Sequence, residues 1–199
     1  MALGKQAKIL TKSQIEAIHA HLGLRRNGLR DQTIFLLSVK AGLRAKEIAS
    51  LTWSMVMDAD GEVGAAIHLT DIASKGRGGR VIPMNKQLRE HLIELLDVER
   101  KQFRTNSKDG FVVTTERSNR TSAQGIVNLF SRWYSDLGLI GCSSHSGRRT
   151  FITNAARKIG SVGGSLRDVQ ALSGHSSLAV TQRYIEGDAA ARSKIVNLI

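Results

Sequence analysis

The chain predicts a mainly α protein with one small antiparallel β-sheet, an α+β fold. Three observations lead there. Apolar residues recur at helical spacing along most of the chain. Runs of strand character are confined to residues 54–83, apart from one short apolar triplet at 111–113. The 199 residues, 41% of them hydrophobic and 23% charged, fit one globular domain able to bury a core without disulfides or metal.

The elements follow in order. Thr11-Lys12-Ser13 reads as a helix cap, with Ile15, Ile18, His19 and Leu22 behind it at helical spacing. Gly23 to Gly28 is a basic turn. Leu29 to Ala41 reads as a buried helix that Gly42 ends, and a short helix runs from Ala45 to Trp53. Val56-Met57, Ala65 to Leu69 and Arg80 to Pro83 read as strands, with a glycine-rich turn at 74–79 before the last. Pro83, the only proline, ends that strand. Gln87 to Phe103 is amphipathic, with Leu88, Leu92, Leu95, Leu96 and Val98 as its apolar stripe. A polar loop over 104–110 leads to Phe111-Val112-Val113, a short strand or extended segment. Further helices are expected over Ser122–Leu137, Ser146–Ile159, Leu166–Leu172 and Leu178–Ile185. The whole chain, 1–199, is read as one domain, with a core over 10–187 and a partly apolar tail over 188–199. No repeat, low-complexity tract or long linker interrupts it.

Charge gives the first functional clue. Lys and Arg number 29 against 17 Asp and Glu, a formal charge of +12. So basic a chain is biased toward a polyanion, usually nucleic acid. Five Phe, two Tyr and two Trp are few for a protein that stacks single-stranded bases, so duplex phosphate is the better fit. The single cysteine, Cys142, cannot form an internal bridge, and no secretory signal or membrane-length apolar run is visible. A cytoplasmic setting without a membrane partner is the expectation.

Several chemistries find no support. There is no His-Glu-x-x-His and no Cys-x-x-Cys, and Cys142 with His145 is a weak pair, so no metal is expected. Asp58 and Asp60 stand apart from the basic motifs, which disfavours a two-metal nuclease. No Gly-x-Ser-x-Gly elbow surrounds Ser143, Ser144 or Ser146, and the glycine-rich turn is no P-loop. What remains is cations, imidazoles and a tyrosine. Arg44 stands at a helix start. Lys75 stands in the glycine-rich turn. His145 and Arg148 share one face of a helix's first turn, where backbone N–H groups favour an anion. His175 precedes a helix that ends near Tyr184. Of the two tyrosines, Tyr134 follows Trp133 in an amphipathic helix and reads as core, which leaves Tyr184 as the nucleophile candidate.

The order of these residues resembles the catalytic domain of the tyrosine recombinases, the phage integrase family. The phrases that carry it are Gly42-Leu43-Arg44-Ala45-Lys46-Glu47-Ile48, His145-Ser146-Gly147-Arg148-Arg149-Thr150-Phe151, Leu172-Ser173-Gly174-His175-Ser176-Ser177 and Thr181-Gln182-Arg183-Tyr184-Ile185. The resemblance implies a site-specific recombinase or integrase that cuts and rejoins duplex DNA through a 3′-phosphotyrosyl intermediate, without metal, ATP or other cofactor. It implies that Tyr184 attacks the scissile phosphate and that Arg44 and Arg148 clamp its oxygens. His145 would handle the tyrosine's proton, Lys75 would protonate the departing 5′-oxygen, and His175 would donate a hydrogen bond to the phosphate. It also implies a homotetramer on DNA and in some members accessory DNA-bending proteins, and it leaves two expectations for the tail, docking on a neighbouring protomer or on its own core.

Two departures stand out. Gly147 replaces the leucine frequent in His-x-Leu-Arg. Only about ten residues precede the first helix, too few here for the family's amino-terminal core-binding domain; a short, catalytic-domain form, a fragment or a decayed element are the expectations. Two other readings share the fold: a type IB topoisomerase-like nicking and resealing enzyme, and a non-catalytic DNA-binding protein. Failure to join two duplexes while relaxing one would mark the former, and absence of a covalent adduct the latter.

Overall fold

The computed structural model describes residues 7–71, 73, 79–103, 109–184 and 196, with backbone alone at 102 and 103. Helix α1 (Lys12–Gly23) opens on Thr11, whose side chain accepts from the Gln14 amide while the Gln14 side chain accepts from the Thr11 amide. Helix α2 (Gly28–Ala41) is the centre of the molecule. Thr33 to Val39 are all buried, so this helix is covered on every side. It packs against α1, against α4 (Lys86–Phe103) and against α6 (Ser146–Lys158). Between α1 and α4, His19 Nε2 meets His91 Nε2 at 3.0 Å.

Gly42 ends α2 in the left-handed conformation, φ 66°, and a Cβ there would lie 2.4 Å from the Phe151 ring. The chain turns at once into α3 (Ala45–Ala49), which packs on α5 (Ala123–Asp136). Trp53, Phe130, Trp133 and Tyr134 fill the interior on this side, with the Phe130 and Trp133 rings edge to face at 5.2 Å. The sheet has two strands, β1 (Ala66–Leu69) and β2 (Arg80–Pro83), antiparallel with Ile67 opposite Ile82 and Leu69 opposite Arg80. Ile67, Leu69 and Ile82 face inward, and Arg80 shares their side.

The mainly helical fold with one small antiparallel sheet is therefore as expected. Four details differ, one being that the helix expected over Leu178–Ile185 ends at Gln182. The helix expected over Ala45–Trp53 stops at Ala49, and a separate 3₁₀ turn covers Trp53–Met55. Val56-Met57 makes no strand: Met57 forms one isolated bridge with Val63, because the Asp58–Gly61 turn closes too soon for a ladder. Phe111 likewise contributes a single bridge, to Thr52. Helices α7 (Leu166–Ser173), capped by Ser165 with Asp168, and α8 (Leu178–Gln182) follow. Ser177 holds the N-cap position of α8 without a side-chain capping bond. The glycine-rich turn with Lys75, the loop at 104–108 and nearly all of the tail fall outside the described residues; of the tail, Val196 alone is described, helical and exposed.

Candidate active site

The site is assembled where helices end. Gly42 closes α2 and Gly174 closes α7, both left-handed, at φ 66° and 60°. Their neighbours Arg44 and His175 are thereby turned toward α6. Arg148, in the first turn of α6, bridges the two ends. Its guanidinium donates to the Gly42 carbonyl at 2.5 Å and to the Ser173 carbonyl at 2.6 Å. Carbonyls at helix C-termini lack intrahelical partners and carry the negative end of the helix dipole, so a buried cation is favoured there. Arg148 is only 4% exposed, and burial, followed by the charge of Arg44, brings its pKa down to about 10. Among the described residues these bonds use two of its five N–H donors, leaving three for an anion.

Arg44 holds the N-cap position of α3. Its side chain donates to Glu47 Oε1 at 2.9 Å and its amide to Oε2 at 2.8 Å. Glu47 is buried and also receives Arg80, which reaches across from β2 with both terminal nitrogens, at 2.9 and 3.1 Å. Arg80 Nε donates to the Leu172 carbonyl at the end of α7. Burial alone would raise the pKa of Glu47, but the Arg80 and Arg44 bonds and charges outweigh it and hold the carboxyl below its ordinary range. Two guanidinium groups thus share one carboxylate, and with Arg148 beside them the surplus is positive.

His175 registers that surplus. Burial first, then Arg148, Arg44 and Arg80, pushes its pKa down to about 4, so the ring is neutral at physiological pH. Its Nδ1 lies 3.0 Å from Thr181 Oγ1, and its ring stacks on that of Tyr184 with centroids 5.3 Å apart and planes at 21°. Tyr184 follows α8. Its amide donates to the Thr181 carbonyl at 3.0 Å, and its carbonyl accepts from Thr153 Oγ1 of α6 at 3.4 Å. His145 is exposed at the N-cap position of α6. A cleft of about 390 Å³ is lined by Ala7, Ser143, His145, Arg148, Arg149, Val180, Arg183 and Tyr184.

The structure thus brings Arg44, His145, Arg148, His175 and Tyr184 into one neighbourhood, while Lys75 lies outside the described residues. Tyr134 is 2% exposed among the core aromatics, as its place in α5 foretold. Sequence reasoning did not single out Glu47, Arg80 or Thr181. Glu47 stands three residues after Arg44, a visible i,i+3 pair. The Arg80–Glu47 contact spans 33 positions, and no local signal announces it.

Comparison with known proteins follows the same line. The family model described as the phage integrase family matches residues 8–190. Tyrosine recombinase XerC of Shewanella sp. (strain ANA-3) is 31% identical over 189 residues, covering 92% of this chain and 58% of that protein. The crystal structure of XerA recombinase superposes with a TM-score of 0.73 at 21% identity, covering 96% of this chain and 64% of that one. The integrase of the transposon Tn1549, solved with a circular intermediate DNA, gives 0.74 at 19% identity, over 99% of this chain and 67% of that one. The chain spans about half the length of the curated relatives it matches, 48% and 58% in two of them.

Proposed function

The chain belongs to the phage integrase family, and from that premise we propose that it cuts and rejoins duplex DNA as a site-specific recombinase, with Tyr184 as its nucleophile. The observation that carries this reading is the Arg148 guanidinium, held by two helix ends beside Tyr184 with donors to spare. A surplus of positive charge next to a phenol suits an anionic substrate such as a phosphodiester.

The chemistry runs as follows. Tyr184 Oη attacks the scissile phosphorus, and the bond to the 5′-oxygen breaks. A phenol is a weak nucleophile while protonated, so its proton must leave; His145 at the cleft receives it. Negative charge builds on the non-bridging oxygens, where Arg44 and Arg148 stabilise it. His175 donates a hydrogen bond to the same phosphate. Lys75 protonates the departing 5′-oxygen, a role that rests on the family resemblance. The phosphotyrosyl bond keeps the energy of the phosphodiester, so the 5′-hydroxyl of a second strand reverses the step without ATP. These roles need no metal or organic cofactor.

On this reading the partner is duplex DNA, the working assembly is a homotetramer on DNA in the cytoplasm, and the segment 188–199 docks on a neighbouring protomer. Accessory DNA-bending proteins would assist where this chain alone grips DNA weakly. The test is covalent trapping. The protein is incubated with fragmented host and mobile-element DNA in the presence of a chelator, quenched in detergent, and the attached DNA is sequenced. An adduct lost in Tyr184→Phe and kept in Tyr134→Phe supports the reading and reveals the target. An adduct that survives Tyr184→Phe overturns the assignment.

A further inference from the structure

We propose that Thr181 is a positioning residue that fixes the tautomer of His175, giving its hydroxyl proton to Nδ1 and so leaving the ring proton on Nε2. Several buried hydroxyls in this protein send their protons to nearby carbonyls. Thr33, Thr150 and Ser173 sit inside helices, and each donates to the carbonyl four residues earlier, at 2.7 Å in all three cases. Thr181 is equally buried, at 0% exposure, yet among the described residues the partner of its Oγ1 is His175 Nδ1 at 3.0 Å. A buried hydroxyl proton requires an acceptor. A neutral imidazole has one bare nitrogen, and here it is the one facing Thr181.

The same residue sets the other half of the pair. The Thr181 carbonyl accepts the Tyr184 amide, so its side chain orients the imidazole while its backbone holds the tyrosine. The two rings are stacked. With Nδ1 satisfied, Nε2–H is a fixed donor, which a neutral histidine must have in order to hydrogen-bond a phosphate oxygen. That consequence rests on the DNA-cleavage reading; the tautomer itself does not.

The test therefore has separate arms. Nitrogen-15 NMR of the imidazoles in the full chain, without DNA and near neutral pH, is expected to show a protonated Nε2 and a bare Nδ1 for His175. Thr181→Ser keeps that pattern, and Thr181→Val, similar in size but without the hydroxyl, gives a mixture of tautomers. Phosphotyrosyl formation is expected to slow by about tenfold to a hundredfold in Thr181→Val, the size of one hydrogen bond to a charged group, and to recover in Thr181→Ser. In a His175→Ala background the valine change adds no further loss. A ring proton on Nδ1 in the wild type, an unchanged tautomer in Thr181→Val, or additive losses in the double variant would overturn the proposal. If the wild type forms no adduct yet shows the Nε2–H tautomer, the cleavage reading fails and the role of Thr181 stands.

Discussion

Arg148 shows how much a single side chain is asked to do. It closes two helix ends and presents its remaining donors to the cleft. Lysine cannot replace it, because an ammonium lacks the planar fork that spans two carbonyls. Arg148→Lys is therefore expected to slow phosphotyrosyl formation by about a hundredfold or more and also to lower the melting temperature. Cleavage at wild-type rate would refute the clamp. His175 makes a second prediction, on pH. Its folded pKa of about 4 lies below the ordinary 6.5, so the unfolded chain takes up the proton first. The stability it lends is full above pH 6.5 and is lost as pH falls toward 4. His19 works in the same direction, its pKa lowered by burial, His91 and Lys40. Melting curves are expected to show a smaller acid loss in His175→Gln than in the wild type. Bound duplex should also reduce the wild-type loss, because a phosphate beside the ring favours its charged form. Equal acid losses in both proteins would sink the argument.

Among the elements, α2 and α6 approach closely at Gly147. A Cβ there would lie 2.4 Å from Ser38 Oγ and 3.0 Å from Ser38 Cβ. This accounts for the departure from the family's leucine: the space that side chain would need is occupied by α2. Gly147→Ala is expected to destabilise by about 1–3 kcal/mol through overpacking, measured by denaturant unfolding. Among the described residues the buried Ser38 Oγ has no hydrogen-bond partner, so Ser38→Ala removes the nearest clash at little cost. The double variant should recover part of the loss; strict additivity would mean that the strain lies elsewhere. The same scale shows what the sequence made legible. Helices announced themselves because caps and periodicity are local: Thr11 with Gln14, Gly42 after α2, and Ser122, whose side chain accepts the Gly125 amide. Short extended pieces did not, since Val56-Met57 and Phe111 depend on a partner elsewhere in the chain. The site divided the same way. The residue types at Arg44, His145, Arg148, His175 and Tyr184 could be read off short phrases, whereas the Arg80 contact with Glu47 required the folded chain.

For the molecule as a whole, the site draws on residues from Arg44 to Tyr184, so it exists only when α3 is packed with the distant α6, α7 and α8. Arg80 is the tie: it leaves β2, grips Glu47 of α3 and donates to the end of α7. Its side chain is 6% exposed and that of Glu47 is 1% exposed, so breaking the pair leaves an underpaired buried charge. Arg80→Met is expected to cost about 3 kcal/mol on that ground, and to weaken cleavage because Arg44 shares the same carboxylate. On the proposed function, duplex binding would carry the charge of the entire chain. At +12, association should be dominated by phosphate neutralisation, with log affinity falling linearly in log salt. Each phosphate contact contributes a slope of about −0.9 on duplex DNA. Arg44→Ala should therefore flatten the salt slope by about one while leaving the preference among sequences unchanged, since a phosphate contact reads no base. Salt titrations of both proteins on specific and random duplexes separate the outcomes. An unchanged slope would remove Arg44 from the phosphate, and an altered sequence preference would give it a role in base readout.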